Sequence, residues 1–381
     1  MRESRTELAQ ELMLRFAERT GVGSEHAARR YLWTDAFAVC TFLGLARSTE
    51  TVRYTELAAA LVDRVHRVLG RHREDDARAG WISGLDDSAG ALRPTAGGLR
   101  IGKPQPERAP GDPFDEQLEW DRDGQYFHYL TKWMLALERY ARATSREQPL
   151  SWARELADAA FHAFVRRGRM VWKMSIDLSR PLVESMGQHD PLDGLVSCLE
   201  LDAASRELGA PLQPPLDAAI AAFGSMIQRR ALVTTDPLGL GGLLLDAYRL
   251  ATLPSAPREL VSALLEAAAT GLDVYAAHGE LAMAARRRLA FRELGLAIGL
   301  AALEQLSPAT RASLREPCAK LERHASLRGQ IETFWMRSEH RRGPSWTDHA
   351  DINDVMLAAS LMPEGLLRSA RTPDGTRVAA V

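Results

Sequence analysis

Leu289-Ala290-Phe291-Arg292-Glu293-Leu294-Gly295-Leu296-Ala297-Ile298-Gly299-Leu300-Ala301-Ala302-Leu303-Glu304-Gln305-Leu306 is apolar on almost every side. Such a stretch is too long for one strand and suits a helix buried all round. Further on, Leu327, Ile331 and Trp335 recur every four residues with charge between them. That is an amphipathic helix with one face in water. The same two patterns alternate along the chain. Buried segments cover Ala36 to Leu45, Tyr126 to Leu137, Leu192 to Leu201, Leu238 to Leu253, Ala290 to Leu303 and Ile352 to Leu361. Amphipathic stripes such as Leu8, Leu12, Phe16 and Leu57, Leu61, Val65 stand between them, as do Trp152, Leu156, Ala160, Phe164 and Leu260, Leu264, Ala268, Leu272. Alternating β-branched runs are scarce, so the chain is predicted to be all-α.

Six amphipathic–buried pairs are what a closed ring of helical hairpins requires. Inner helices touch neighbours on all sides, and outer ones face water. An α-solenoid of hairpins, or two all-α domains, would also use the pattern. One interval breaks the spacing: residues 71–123 carry Gly80, Gly84, Gly90, Pro94, Gly97, Gly98, Gly102, Pro104, Pro106, Pro110, Gly111 and Pro113. This reads as a long loop insertion, a candidate lid, in one 1–381 domain.

The pattern resembles the (α/α)6 barrel of the six-hairpin glycosidase-like superfamily. Trp33-Thr34-Asp35-Ala36 resembles the Trp-x-Asp start of an inner helix in N-acylglucosamine 2-epimerase-like proteins. The Trp-x-Arg-Gly-Gln and Trp-Gly-Arg-Gly signatures of unsaturated glucuronyl hydrolases are absent. The resemblance implies a toroid whose inner helices all start at one mouth.

Polar residues cluster just before the buried segments, and in such a ring they would converge. The first group is Thr34 and Asp35; the second is Trp120, Asp121, Asp123, Gln125, Tyr126 and His128. The third is Gln188, His189, Asp190 and Asp193, the fourth Thr234, Thr235 and Asp236, and the fifth Arg287, Arg288 and Arg292. Trp346, Asp348, His349, Asp351, Asn353 and Asp354 form the sixth. Helix caps explain many single aspartates, but not the aromatics and histidines beside them. Aromatic faces beside carboxylates suit a saccharide, with C–H surfaces to stack and hydroxyls to bond. In the loop, Arg100, Lys103 and Arg108 could grip an anionic group of a ligand.

Two chemistries follow. A glycoside hydrolase would use two carboxyl groups, Asp123 and Asp190, as acid and as base or nucleophile. An epimerase or isomerase would use His189 and His349 to exchange protons beside a carbonyl. A non-catalytic helical binding module is the reading from a different class. Asp35, Trp120, Gln125, Tyr126, His128, Asp236, Trp346, Arg100 and Lys103 are the expected substrate-binding residues, and the ligand is expected to be a saccharide or related polar small molecule.

Forty-eight Lys and Arg against 50 Asp and Glu leave a net charge of -2, which offers nucleic acid no global attraction. Cys40, Cys198 and Cys318 are far apart and form no CxxC pair, so a reducing, cytoplasmic setting fits best. The charged N-terminus and the lack of a long uninterrupted apolar run predict neither a signal peptide nor a membrane span. No HExxH or calcium-loop motif occurs, so neither a metal nor another cofactor is expected.

Overall fold

The two periodicities fold as predicted, into two concentric layers. A computed structural model describes residues 2–24 and 29–367. Twelve helices build the rings. Outer α1 (Arg2–Arg19) precedes inner α2 (Leu32–Thr49), and outer α3 (Val52–Leu69) precedes inner α4 (Phe127–Thr144). Outer α5 (Gln148–Phe164) and inner α6 (Asp190–Leu208) follow, then outer α7 (Asp217–Met226) and inner α8 (Pro237–Ala251). Outer α9 (Arg258–Ala277), inner α10 (Ala290–Glu304), outer α11 (Ser326–Met336) and inner α12 (Ala350–Leu361) complete the set. The even-numbered helices touch in the order α2, α4, α6, α8, α10, α12 and back to α2, so the ring is closed. This is an (α/α)6 barrel. Each outer helix packs mainly on the inner helix before it, and α1 packs on α12, joining the first and last helices of the rings.

Local chemistry sets the element ends. Asp236 caps α8 by accepting a hydrogen bond from the Gly239 amide at 2.8 Å, with Pro237 preset for the first turn. α6 ends on Gly209, whose φ of 68° a β-carbon would disfavour. Leu296, Ile298, Ala301 and Val355 are buried, while Arg146, Glu147 and Arg258 are exposed, as the periodicity predicts. Arg311 differs: it is half-buried, because its guanidinium donates to the Leu303 and Leu306 carbonyls at the end of α10. Among the described residues one helix, α9, is long and apolar enough to cross a membrane by length and composition. Here Leu264, Leu265, Ala268 and Leu272 bury its inner face against the barrel.

Inner helices α8 and α10 meet through glycine. A β-carbon on Gly299 would lie 2.5 Å from the Gly241 carbonyl oxygen and 2.6 Å from its Cα. Both obstacles are backbone, so neither can swing aside. Gly299→Leu should therefore destabilise the barrel by at least about 1–3 kcal/mol, read as a lowered denaturation midpoint with unchanged slope. A wild-type midpoint would mean that the helices can separate freely.

The 71–123 insertion is largely loop with two short helices, Asp87–Leu92 and Glu116–Asp121. It is laid against the barrel: Leu99 and Ile101 are fully buried, the Leu32 amide donates to the Ile101 carbonyl, and the Ile101 amide donates to that of Gly124. A small antiparallel sheet lies beside it. Its strands β1 (Gln125–Tyr126), β4 (Lys173–Met174) and β5 (Pro181–Val183) are ordered β1-β4-β5; a separate hairpin pairs β2 (Val165–Arg166) with β3 (Arg169–Met170).

Candidate active site

All six inner helices contribute their first turns to one cavity of about 1080 Å³. Trp33 and Phe37 come from α2, His128 and Lys132 from α4, Asp190 and Asp193 from α6. Asp246 comes from α8, Arg292 and Phe291 from α10, and Asp351 from α12, with His349 just before it. The insertion supplies Lys103 and Pro104, and the segment around the small sheet supplies Trp120 and Trp172. The starts of the six inner helices therefore share one mouth.

Of the predicted site residues, Trp120, His128, His189, Asp190, Asp236, His349 and Lys103 line the cavity. Six do not, each for a visible reason. Asp123 is fully buried in the loop, where its carboxylate accepts from Arg100 Nη1 at 2.6 Å and from the amides of Gly102, Lys103 and Gly124. Arg100 is spent on that carboxylate and on the Arg71 and Val68 carbonyls. Gln125 accepts from the Leu99 amide and donates to the Gly97 and Ile176 carbonyls. Asp35 turns back to the Tyr31 amide and Arg30, and burial pushes its carboxyl up to about 6. Trp346 is core, donating to Asp354 and packing on Trp335. Tyr126 is buried against Trp172 and His128 and lines a neighbouring, smaller cavity. Arg108 also stays away from the mouth, paired with Glu119 at 3.1 Å. Of the three loop cations, only Lys103 reaches it.

Two of the cavity histidines are partly buried, which disfavours their charged form. Burial drives His128 down to about 4 and also lowers His189. His189 Nε2 lies 3.0 Å from the Leu232 carbonyl, so Nε2 carries the proton and Nδ1 is left as the base. His349 is exposed, its ring edge-on to Phe291. Asp190, at the start of α6, accepts from the Gly187 amide and lies 3.9 Å from His128 Nδ1. Burial, followed by the nearby Asp193 charge, pushes Asp190 from its ordinary 3.8 up to about 7.

Deeper in, the Asp193 and Asp246 carboxyl groups hydrogen-bond to each other, which requires a shared proton. Burial opposes ionisation of both. For Asp193 the Lys132 ammonium, 3.0 Å away, outweighs it and keeps the group ionised. For Asp246, burial and the Asp193 charge prevail and push it up to about 7, so Asp246 donates. Behind it, Arg249 bridges Asp246 at 2.9 Å and Glu200 at 2.7 Å, and Arg139 holds Glu200 from the other side at 2.8 Å. This buried chain ties α4, α6 and α8 together and fixes the floor of the cavity. The clusters before the helices did not include Asp246 or Lys132, which sit within the helices. The signal available was an ionisable residue inside an apolar run, Leu243-Leu244-Leu245-Asp246 and Leu130-Thr131-Lys132-Trp133, since an unpaired charge there would be costly.

These protonation states predict how stability responds to pH. Asp190 and Asp246 keep their protons in the fold up to about pH 7 and lose them near 4 when unfolded. Each contributes stability that is lost as the pH rises from about 4 to 7. His128 and His189, lowered in the fold, oppose this by losing stability as the pH falls below about 6.5. The difference in melting temperature between Asp190→Asn and the wild type should therefore shift in the variant's favour from about pH 5 to 8. A difference that does not change with pH would contradict the raised acid.

No family model matches the chain, and no curated protein matches it. Among solved structures it is similar to the cellobiose 2-epimerase from Spirochaeta thermophila DSM 6192, with a TM-score of 0.52 and 15% identity, covering 96% of this chain and 97% of that one. It is more distantly similar to a sugar epimerase from a ruminal bacterium, with a TM-score of 0.45 and 10% identity over 84% and 86% of the two chains. The first likeness spans nearly the whole of both proteins and matches the six-hairpin barrel in fold; the second is too distant to add to it.

Proposed function

We propose that the protein is a sugar epimerase or isomerase that moves a proton at the carbon beside the carbonyl of a reducing saccharide. The observation that carries this reading is the placement of two cavity histidines. His189 stands just before inner helix α6 and His349 just before α12, three positions apart in a ring of six, so their backbones lie on opposite sides of the mouth they both line. Epimerisation needs one base on each side of the reacting carbon. In the opened sugar, one histidine takes the proton from C2 and the C–H electrons form an enediolate with the carbonyl. The other histidine, which must hold a proton as imidazolium for this step, returns it to the opposite face and gives the epimer, and the first passes the abstracted proton to solvent. Return to C1 instead, with the O2 hydroxyl proton passing to O1, gives the ketose. The growing negative charge on the carbonyl oxygen needs a donor nearby; Asp190, held near 7, and the cations Lys103 and Arg292 line the same space. Trp33, Trp120 and Trp172 offer faces to the sugar ring.

The hydrolase reading loses its pair, since Asp123 is enclosed in the loop and does not reach the cavity. The fold shared with a cellobiose 2-epimerase also supports epimerase over hydrolase. The test is to incubate the protein with glucose, mannose, N-acetylglucosamine, cellobiose and mannobiose and to follow anomeric signals by NMR. Formation of a C2 epimer or ketose from at least one is expected. Glycosidic cleavage without epimer, or no product from any, would contradict the proposal.

A further inference from the structure

A second cavity of about 570 Å³ lies behind the edge-to-face pair Trp120 and Trp172, whose ring centroids are 5.3 Å apart and which stand between it and the main cavity. Rings wall it on several sides. Tyr126 tilts against Trp172 with centroids 4.7 Å apart, and Phe114 is a further lining ring. Phe114 is 56% exposed and Trp120 50%, on a barrel that otherwise buries most of its apolar residues.

The charge in this space is one-sided. Glu116, Glu119 and Glu184 line it, and among the described lining residues the one cation is Arg108. Arg108 donates to Glu119 at 3.1 Å and to the Leu182 carbonyl at 2.8 Å, and Glu119 also accepts from the buried Lys173 ammonium at 2.8 Å. Glu116 and Glu184 are exposed and have no ion pair among the described residues. Aromatic faces add the negative side of their quadrupoles. Two of these rings already draw cations of the chain: the Lys173 ammonium lies 5.4 Å from the Tyr126 centroid and the Arg108 guanidinium 5.8 Å from that of Phe114. A separate observation concerns Tyr126, which is 2% exposed. Its hydroxyl has no hydrogen-bond partner among the described residues, and burial holds its proton on. Buried hydroxyls are normally satisfied, so this wall has a donor that lacks an acceptor.

We infer that the second cavity binds a small quaternary ammonium ion bearing an oxygen acceptor, of which choline is the simplest form. The methylated nitrogen spreads its charge over an apolar surface that aromatic faces meet closely. Glu116 and Glu184 supply the countercharge, and the ligand oxygen accepts from Tyr126. A phosphate or carboxylate in the same place would be repelled by the two glutamates. The site is independent of the sugar chemistry proposed above, since Phe114, Glu116, Tyr126 and Glu184 do not line the main cavity.

Calorimetry on the full chain at fixed ionic strength tests it with choline, tetramethylammonium and neohexyl alcohol, the uncharged analogue of choline in which carbon replaces nitrogen. Choline should bind about tenfold or more tighter than neohexyl alcohol. Phe114→Ala, and Glu116→Gln with Glu184→Gln, should each weaken choline by about three- to tenfold; all three side chains are exposed, so melting temperatures should stay near wild type. Tyr126→Phe should weaken choline and leave tetramethylammonium unchanged. Equal affinity for choline and neohexyl alcohol, no binding of choline, or choline affinity undiminished in both the Phe114 and the glutamate variants would overturn the inference. None of these results bears on whether the protein epimerises a sugar.

Discussion

His349→Asn should lower turnover by about 10²–10⁴-fold, the loss expected when a positioned acid–base group is removed. Stability should move by no more than about 0.5 kcal/mol, because the ring is exposed and packs only edge-on to Phe291. The same loss of turnover is expected for His189→Asn, with a somewhat larger effect on stability because its bond to the Leu232 carbonyl is lost. The two-base arrangement makes a sharper statement than loss of rate. With His349 gone, His189 still reaches the hydrogen on its own side of the carbon. One epimer should then exchange that hydrogen with solvent without inverting, and His189→Asn should show the same behaviour for the other epimer. Measuring inversion and exchange on the same samples checks this. If either variant inverts its substrate at the wild-type rate, that histidine is no base in the reaction.

The second large effect is on stability. Asp123→Ala removes the acceptor for Arg100 and for three backbone amides, all in the buried part of the loop. Truncating one partner of a buried ion pair leaves the other charge uncompensated, at a cost of about 3–5 kcal/mol. The insertion should also loosen where it matters for ligand, since Lys103 and Pro104 adjoin the anchor and line the cavity. Chemical denaturation should show the lost stability, and affinity for the sugar should weaken with it. Asp123→Asn keeps the shape but turns an amide group towards donors, so it should destabilise too. A variant with wild-type stability and abolished turnover would instead return Asp123 to the reaction.

That reversal shows what a sequence carries and what it does not. The alternation of all-round apolar stretches such as 289–306 with striped ones such as 327–335 reflects burial on all sides or on one, and burial is what the two layers consist of. Once the ring was inferred, the meeting of His189, Asp190 and His349 followed from topology alone. Side-chain direction did not follow. Asp123 and Gln125 stand before an inner helix just as Asp190 does, but the loop from 97 to 103 folds back onto them and takes up their hydrogen-bonding groups. Contacts between residues over 20 positions apart leave no periodic trace. Trp346 looked like a wall for a ligand because aromatics beside carboxylates serve both purposes; its indole nitrogen serves Asp354 in the core. Conversely, Asp246 and Lys132 were visible as charges inside apolar runs, while their pairing through Asp193 depended on how α4, α6 and α8 face one another.

The most direct test of the proposed chemistry is proton exchange in deuterated water. The wild-type protein is incubated with the reducing sugars above, and NMR follows the hydrogen on the carbon beside the carbonyl. Base-catalysed abstraction and return predicts that deuterium enters at the carbon that receives the proton, C2 of an epimer or C1 of a ketose, and that little enters when His189 and His349 are both replaced by Asn. Conversion with no deuterium at that carbon, or exchange undiminished in the double variant, would contradict the two-histidine account.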